Sequence, residues 1–318
     1  MITPKISIAM ATYNGERFLS QLLDSLFNQS MKVDEIIVVD DCSNDETVNI
    51  LKIYQNKLPI KIYVNDVNLG VNRNFEKAVS LTTGDYILLC DQDDVWLSSN
   101  VESKEQALKM MPQNKPAFVA SRSIMVDSNL KKILSFGVSK NTSDALEIFM
   151  TPFQGTTLAF NRAFLDVSQG WPKSFKDFPY DVFLRFCAVL TANLYALSKP
   201  LMLYRCHENN VELKMNTDRK LHILKRKWLT LLLQFNLNEL RLKRLNFVIK
   251  KLNKEYVIAE RLKIFEDLCS CLIGGRLSWV KFFLLRSIPS NIKLRVFFAS
   301  IISLIRKKVS ISKKVVEE

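Results

Sequence analysis

Tyr86-Ile-Leu-Leu-Cys-Asp-Gln-Asp-Asp-Val-Trp96 is a short apolar run that drives into three carboxylates within four residues. A continuous apolar run of this length is what a central parallel strand needs, because such a strand is buried on both faces. Asp91, Gln92, Asp93 and Asp94 then fall at its carboxyl end, where open α/β sheets keep their ligands. In a turn, Asp91-x-Asp93 lets two carboxylates converge on one hard divalent ion or on the groups that ion carries. The competing reading is a solvated acidic turn that caps a helix beginning near Ser98.

Upstream of this stretch the same unit repeats. Lys5–Ala11 reads as a strand, ended by Thr12-Tyr-Asn-Gly15, and Glu16–Gln29 carries Phe18, Leu22, Leu23, Leu26 and Phe27 at helical spacing. Glu35–Asp40 is a second buried strand, followed by the turn Asp41–Asn44 and a helix from about Asp45 to Lys57. Ile60–Val64 is a third strand, Asn65–Asn72 a loop and Arg73–Leu81 a short helix. This alternation predicts an α/β fold with right-handed crossovers and a mostly parallel sheet with flanking helices.

Downstream, Ser99–Met111 is predicted helical, Ala117–Val126 a strand, Phe153–Phe160 a further apolar segment and Arg162–Val167 a helical turn. Pro179–Leu190 reads as a mostly apolar helix, and Leu194–Leu197 and Leu201–Arg205 as two short strands leading to His207.

The net charge of +13 is unevenly placed. Residues 218–318 carry 23 Lys and Arg against eight Asp and Glu, whereas residues 1–217 carry 22 against 24. The chain thus divides near Asn216–Asp218 into an α/β domain, 1–217, and a basic α-helical C-terminal region, 218–318, rich in Leu and Phe. No uninterrupted apolar run there approaches the roughly 18–20 residues of a spanning helix. With Trp228, Trp279 and Phe282-Phe283 among its lysines and arginines, it suits an amphipathic region lying on an anionic membrane surface. A solvated helical bundle is the alternative; nucleic acid is disfavoured because no RNA-binding motif accompanies the charge. Six cysteines without a Cys-x-x-Cys pair, two of them in apolar runs, point to buried free thiols in a reducing compartment. Met1-Ile-Thr-Pro-Lys-Ile leads into a strand without a charged and apolar leader, so the expectation is a cytoplasmic protein, peripheral at the inner face of the cell membrane.

In a parallel sheet the polar ends of strands one, two and four converge on one crevice: Thr12, Tyr13 and Asn14; Asp40 and Asp41; Asp91, Asp93 and Asp94. Such a crevice suits a nucleotide whose base is framed by the first two loops and whose diphosphate and metal sit on the third. There is no Gly-x-x-x-x-Gly-Lys loop and no Gly-x-Gly-x-x-Gly after a strand, which disfavours a nucleoside triphosphate.

Together, Ser7–Asn14, Ile36–Asp45, Asn68-Leu-Gly70 and Gly84–Asp94 resemble, in order and spacing, the amino half of a family 2 glycosyltransferase with the GT-A (Rossmann-like) fold. Gln154–Arg162, Tyr180-Asp181 and Leu203-Tyr-Arg-Cys-His207 are similar to the acceptor half of its rhamnosyltransferase-like branch. The resemblance implies that Thr12, Tyr13, Asn14, Asp41, Arg73, Asp91 and Gln92 bind the nucleotide sugar, with Arg73 at the diphosphate. It implies that Asp93, Asp91 and His207 hold a divalent metal, Mn²⁺ or Mg²⁺, and that Asp181 is the general base. The implied partners are a UDP- or dTDP-sugar donor and a glycan or lipid-linked glycan acceptor. The implied activity is inverting, metal-dependent transfer of a sugar, rhamnose among the candidates, to a bacterial surface polysaccharide. Three positions depart from the family pattern: Tyr180 in place of an acid or histidine, Cys42 in place of glycine, and Gln154-Gly-Thr in place of a Gly-Cys pair. Taken singly, Asp181 could cap its helix and His207 could be a solvated loop residue. A nucleotide-binding scaffold without catalysis, docked through its basic tail on membrane or RNA, is the competing function.

Overall fold

The computed structural model describes residues 3–173, 178–208, 210, 244, 247–252 and 254–265. The chain divides into two compact units, Met1–Met215 and Asn216–Glu318. In the second, residues 247–251 and 259–265 are helical. The expected basic helical region at 218–318 otherwise lies outside the described residues.

The first unit alternates strand and helix, as the sequence predicts: β1 Ile6–Thr12, α1 Glu16–Phe27, β2 Glu35–Asp40, α2 Thr47–Tyr54, β3 Ile60–Val64, α3 Val71–Ser80 and β4 Tyr86–Asp91. Every residue of β1 and β2 is buried, as is every residue of β4 except Asp91 at its end. The buried side of α1, Leu19, Leu22, Leu23 and Leu26, packs into the same core as Ile8, Met10 and Val38. The remaining elements are β5 Val95–Trp96, α4 Asn100–Lys109, β6 Ala117–Val126, β7 Lys132–Phe136, α5 Ala145–Met150, β8 Leu158–Asn161, α6 Arg162–Val167, α7 Tyr180–Thr191 and β9 Asn193–Arg205.

The nine strands among the described residues join one sheet in the order β3-β2-β1-β4-β8-β6-β9-β5, with β7 paired to β6. The half made of β3, β2, β1 and β4 is parallel throughout. Across β4 the pairing turns antiparallel to β8, and β8 is antiparallel to β6, whereas β6 and β9 are parallel.

Two features differ from the sequence reading. The expected pair of strands before His207 is a single strand, β9, because β6 absorbs the break: Ser121 faces Leu197 while Arg122 faces Pro200, so Ser198 and Lys199 bulge out of register. The elements β5, β7 and α5 were not foreseen. Two-residue β5 is defined only by its antiparallel partner in β9.

Candidate active site

A cleft of about 550 Å³ opens at the carboxyl ends of β1, β2 and β4 and is closed on its far side by residues 154–156, the start of α7 and the exit of β9. Three loops build its near wall, and hydrogen bonds between them fix their shape.

In the first loop the Thr12 hydroxyl donates to Asp40 Oδ2 at 2.8 Å, so this side chain fastens β1 to β2. Tyr13 is clamped through its backbone: its N–H donates to Gln92 Oε1 at 2.7 Å, and Gln92 Nε2 donates to its carbonyl at 2.9 Å. The Tyr13 ring stands half exposed at the cleft. A Cβ on Gly15 would lie 2.4 Å from Gln92 Oε1, so a larger residue there would displace the clamp. Asn14, with φ 47°, donates its N–H to Ser43 Oγ and accepts from the N–H of Asn44, which joins the first loop to the second.

In the second loop Asp41 is buried, and its carboxylate organises the Asn65–Gly70 segment. Oδ1 accepts from the N–H of Leu69 at 2.7 Å and from Asn65 Nδ2 at 2.8 Å, and Oδ2 accepts from the N–H of Gly70 at 2.8 Å. Cys42 follows with φ 66°, which gives a physical reason for the glycine usual at this place.

The third loop is the acidic turn. Asp93 Oδ2 lies 2.7 Å from His207 Nε2 and accepts from Asn210 Nδ2 at 3.2 Å, while the His207 N–H donates to Asn210 Oδ1 at 2.5 Å. Arg205, almost fully buried, ties the turn to the end of β9: its Nε donates to the Asp93 carbonyl at 2.7 Å and its N–H to Asp94 Oδ1 at 3.0 Å. Asp94 also accepts from Thr156 Oγ1 at 2.9 Å. Burial, then the charges of Asp93 and Asp91, push its carboxyl well above the usual range, as suits a structural group. Beneath it, Lys104 Nζ donates to the Thr156 carbonyl and lies over the Trp96 ring; burial lowers this ammonium to about 7.

On the far side Asp181 sits in the first turn of α7 and lines the cleft, while Pro179 holds the N-cap position. Asp181 is therefore not the helix cap. Arg185, one turn on, is buried; burial lowers its proton affinity and the Asp181 carboxylate offsets that. Tyr180 stacks on Phe75, with ring centroids 4.4 Å apart, and on Trp171 at 5.9 Å. A Cβ at residue 155 would fall 2.1 Å from the Tyr180 hydroxyl. Gly155 therefore leaves the room that the Tyr180 hydroxyl occupies.

The structure brings Thr12, Tyr13, Asn14, Asp41, Asp91, Gln92, Asp93, Asp181 and His207 to this cleft. Arg73 is not among its lining residues. In α3 Arg73 stands three residues before Glu76, and the two form an ion pair beside Leu69 and Lys77, in a separate open depression. Asn210, Arg205 and Arg17 are cleft or support residues to which sequence reasoning assigned no role; only the polar ending of β9 marked the first two. Among the described residues no three His, Cys, Asp or Glu side chains close around one point. The Asp93–His207 pair, with Asp91 lining the same cleft, fits a hard divalent ion that takes its remaining ligands from phosphate oxygens and water. No helix among the described residues is long and apolar enough to cross a membrane.

Solved structures with this architecture are GT-A glycosyltransferases. The structure of Staphylococcus aureus TarS 1–349 in complex with UDP-GlcNAc superposes with a TM-score of 0.58 at 20% identity, covering 93% of this chain and 87% of that one. A mannosyltransferase from Pyrobaculum calidifontis in complex with GDP-Man and Mn²⁺ gives 0.52 at 14% identity, over 96% and 88% of the two chains. Residues 7–153 match the family model described as glycosyl transferase family 2, the family that the sequence resembles. The chain is 29% identical to the dTDP-rhamnosyl transferase RfbG of Shigella flexneri over 213 residues, 63% of this chain and 72% of that protein. It is 37% identical to the poly(ribitol-phosphate) beta-N-acetylglucosaminyltransferase TarS of S. aureus over 93 residues, 28% of this chain and only 16% of that relative's length.

Proposed function

We propose that the protein is an inverting, metal-dependent glycosyltransferase of this family. In this reading it moves a sugar, rhamnose foremost, from a UDP- or dTDP-sugar to a growing bacterial surface polysaccharide or a lipid-linked glycan. One observation carries the reading: Asp91, Asp93, His207 and Asp181 line a single cleft. The support for rhamnose is the likeness to RfbG, whose name records that donor.

The exposed Tyr13 ring and Asp41 frame the nucleoside, and the Asp91–Asp93 turn faces the diphosphate. Asp93 and His207, with Asp91, would hold Mn²⁺ or Mg²⁺, which as a Lewis acid stabilises the charge of the leaving diphosphate. Asp181 accepts the proton of the acceptor hydroxyl as its oxygen attacks the anomeric carbon and the bond to the diphosphate breaks. A single displacement with a single base inverts the anomeric centre. Residues 1–217 form the transferase domain, and the basic region 218–318 holds it at the inner face of the membrane.

The test is a thermal-shift screen of nucleotide sugars with Mn²⁺ or Mg²⁺, since a ligand stabilises the fold it binds even when no acceptor is present. Asp93→Asn should abolish transfer and the metal-dependent part of the shift; unimpaired transfer with metal still bound rules the mechanism out. Residues 1–217 alone should lose binding to anionic vesicles, and unchanged binding rules out the anchor.

A further inference from the structure

Among the described residues lining the cleft, Arg17 is the one lysine or arginine, in the company of Asp41, Asp91, Asp93 and Asp181. Beside the proposed divalent ion, a cation from the chain would bind a diphosphate that enters such an acidic cleft. Arg73 is paired with Glu76 and does not line the cleft.

Arg17 lies in the first turn of α1, and its Nη1 meets Glu208 Oε1 at 2.6 Å. The two residues are 191 apart in sequence, and Glu208 directly follows His207. The pair is loosely committed, since the side chains are 55% and 58% exposed and water competes for both charges. The guanidinium does not swing free. It lies 4.8 Å over the Phe18 ring, which also receives the Arg205 guanidinium at 4.4 Å and the His207 ring at 4.9 Å. Phe18 is thus a common platform that keeps the Arg17 charge one side chain away from the Asp93–His207 pair. A guanidinium fork that accepts a carboxylate accepts a phosphate in the same geometry, and the diphosphate carries more charge.

We propose that Arg17 is a diphosphate-binding side chain that exchanges Glu208 for the ligand, so that diphosphate binding releases the Arg17–Glu208 tie between α1 and the segment after β9. This rests on the reading of the cleft as a diphosphate site. The diphosphate could belong to the nucleotide donor or to a lipid-linked acceptor.

The full-length chain is titrated with UDP, dTDP and geranyl diphosphate in the presence of Mg²⁺, as wild type, Arg17→Met, Glu208→Gln and the double variant. Arg17→Met should weaken binding about tenfold or more, the loss of a charge-assisted contact. Glu208→Gln should tighten it about threefold by removing the competitor, and the double variant should match Arg17→Met. An effect seen with UDP or dTDP assigns Arg17 to the donor; one confined to geranyl diphosphate assigns it to a lipid diphosphate. Wild-type binding that Arg17→Met leaves unchanged overturns the proposal while the glycosyltransferase reading stands. A Glu208→Gln variant that binds no tighter overturns the exchange. If the wild type binds none of the three, the diphosphate site itself is wrong, and this inference falls with it.

Discussion

The parallel half of the sheet and the mixed half contribute to the cleft by different means. In the parallel half each loop leaves its own strand and is tied to a loop close by in sequence, Asn14 to Ser43 and Asp41 to Leu69 and Gly70. In the mixed half the groups arrive from far away: His207, Asn210 and Arg205 reach the acidic turn across 112 to 117 residues. The first half is a preformed cradle, and the second closes over it. Binding and chemistry should therefore separate on substitution, the near wall with the exit of β9 holding the donor and the start of α7 acting on the acceptor.

The largest effect expected from breaking this division is at Asp181. Asp181→Ala should lower kcat by about 10²–10⁴-fold, the usual contribution of a general base, yet keep the stabilisation by UDP or dTDP with Mg²⁺. Loss of both would show that the two walls cannot be separated. Intact transfer would point to a different base, and an intact cellular role without transfer to a nucleotide-binding scaffold.

Next in size is the footing of the parallel half. Glu35, at the start of β2, is buried. Burial alone would raise its carboxyl, but Lys61 Nζ at 2.9 Å, the Thr83 N–H and the Ser7 and Thr83 hydroxyls outweigh it and hold the pKa at about 2. A depressed carboxyl stabilises the fold above its unfolded value of 4.5, and that contribution is lost as pH falls from 4.5 towards 2. Since Lys61 is half exposed, the contribution is about 2 kcal/mol rather than the full shift. Glu35→Gln should lose that much in urea unfolding at pH 7 and little near pH 2. An equal loss at both pH values would assign the effect to packing, with no part for charge.

A smaller effect is expected at the seam. Asn210 donates to Asp93 and accepts from the backbone of His207, so it orients both members of the pair. Asn210→Ala should weaken Mn²⁺-dependent nucleotide binding about tenfold, at the lower end for partners that orient metal ligands. If it instead matches Asp93→Asn, the asparagine is itself part of the ligand site.

The same contrast explains what was legible in the sequence. The parallel half could be read because each strand is a continuous apolar run broken by a polar turn, and order along the chain gives order at the edge of a parallel sheet. Asp91, Asp93, Thr12–Asn14 and Asp41 were all found that way. What those side chains bond to was not legible: the Gln92 clamp on Tyr13 and the Asp41 bonds to Leu69 and Gly70 depend on loop shapes that no periodicity encodes. That Arg73 pairs with Glu76 at i+3 on its own helix and does not line the cleft was likewise not legible. In the mixed half, Asp181 and His207 were placed through the family resemblance. Nothing in the spacing of Arg205 or Asn210 announces a partner more than 100 residues away.

The smallest effect tests whether the cradle is strained. Cys42 holds φ 66° in the second loop, between Asp41 and Ser43, which both bond to neighbouring loops. An L side chain in this region costs about 1–2 kcal/mol, and glycine would remove that cost. Glycine also gives the unfolded chain more freedom, which takes back about 0.5–1 kcal/mol. The Cys42 side chain is exposed, its Sγ 3.9 Å from the Asp66 carbonyl, so little packing is lost. Cys42→Gly should therefore stabilise the protein by about 0.5 kcal/mol, seen as a slightly higher urea midpoint at unchanged slope, with nucleotide binding intact. A lower midpoint would mean that the loop is held by the thiol contact, and that the hydrogen bonds around Asp41 do not by themselves fix the near wall.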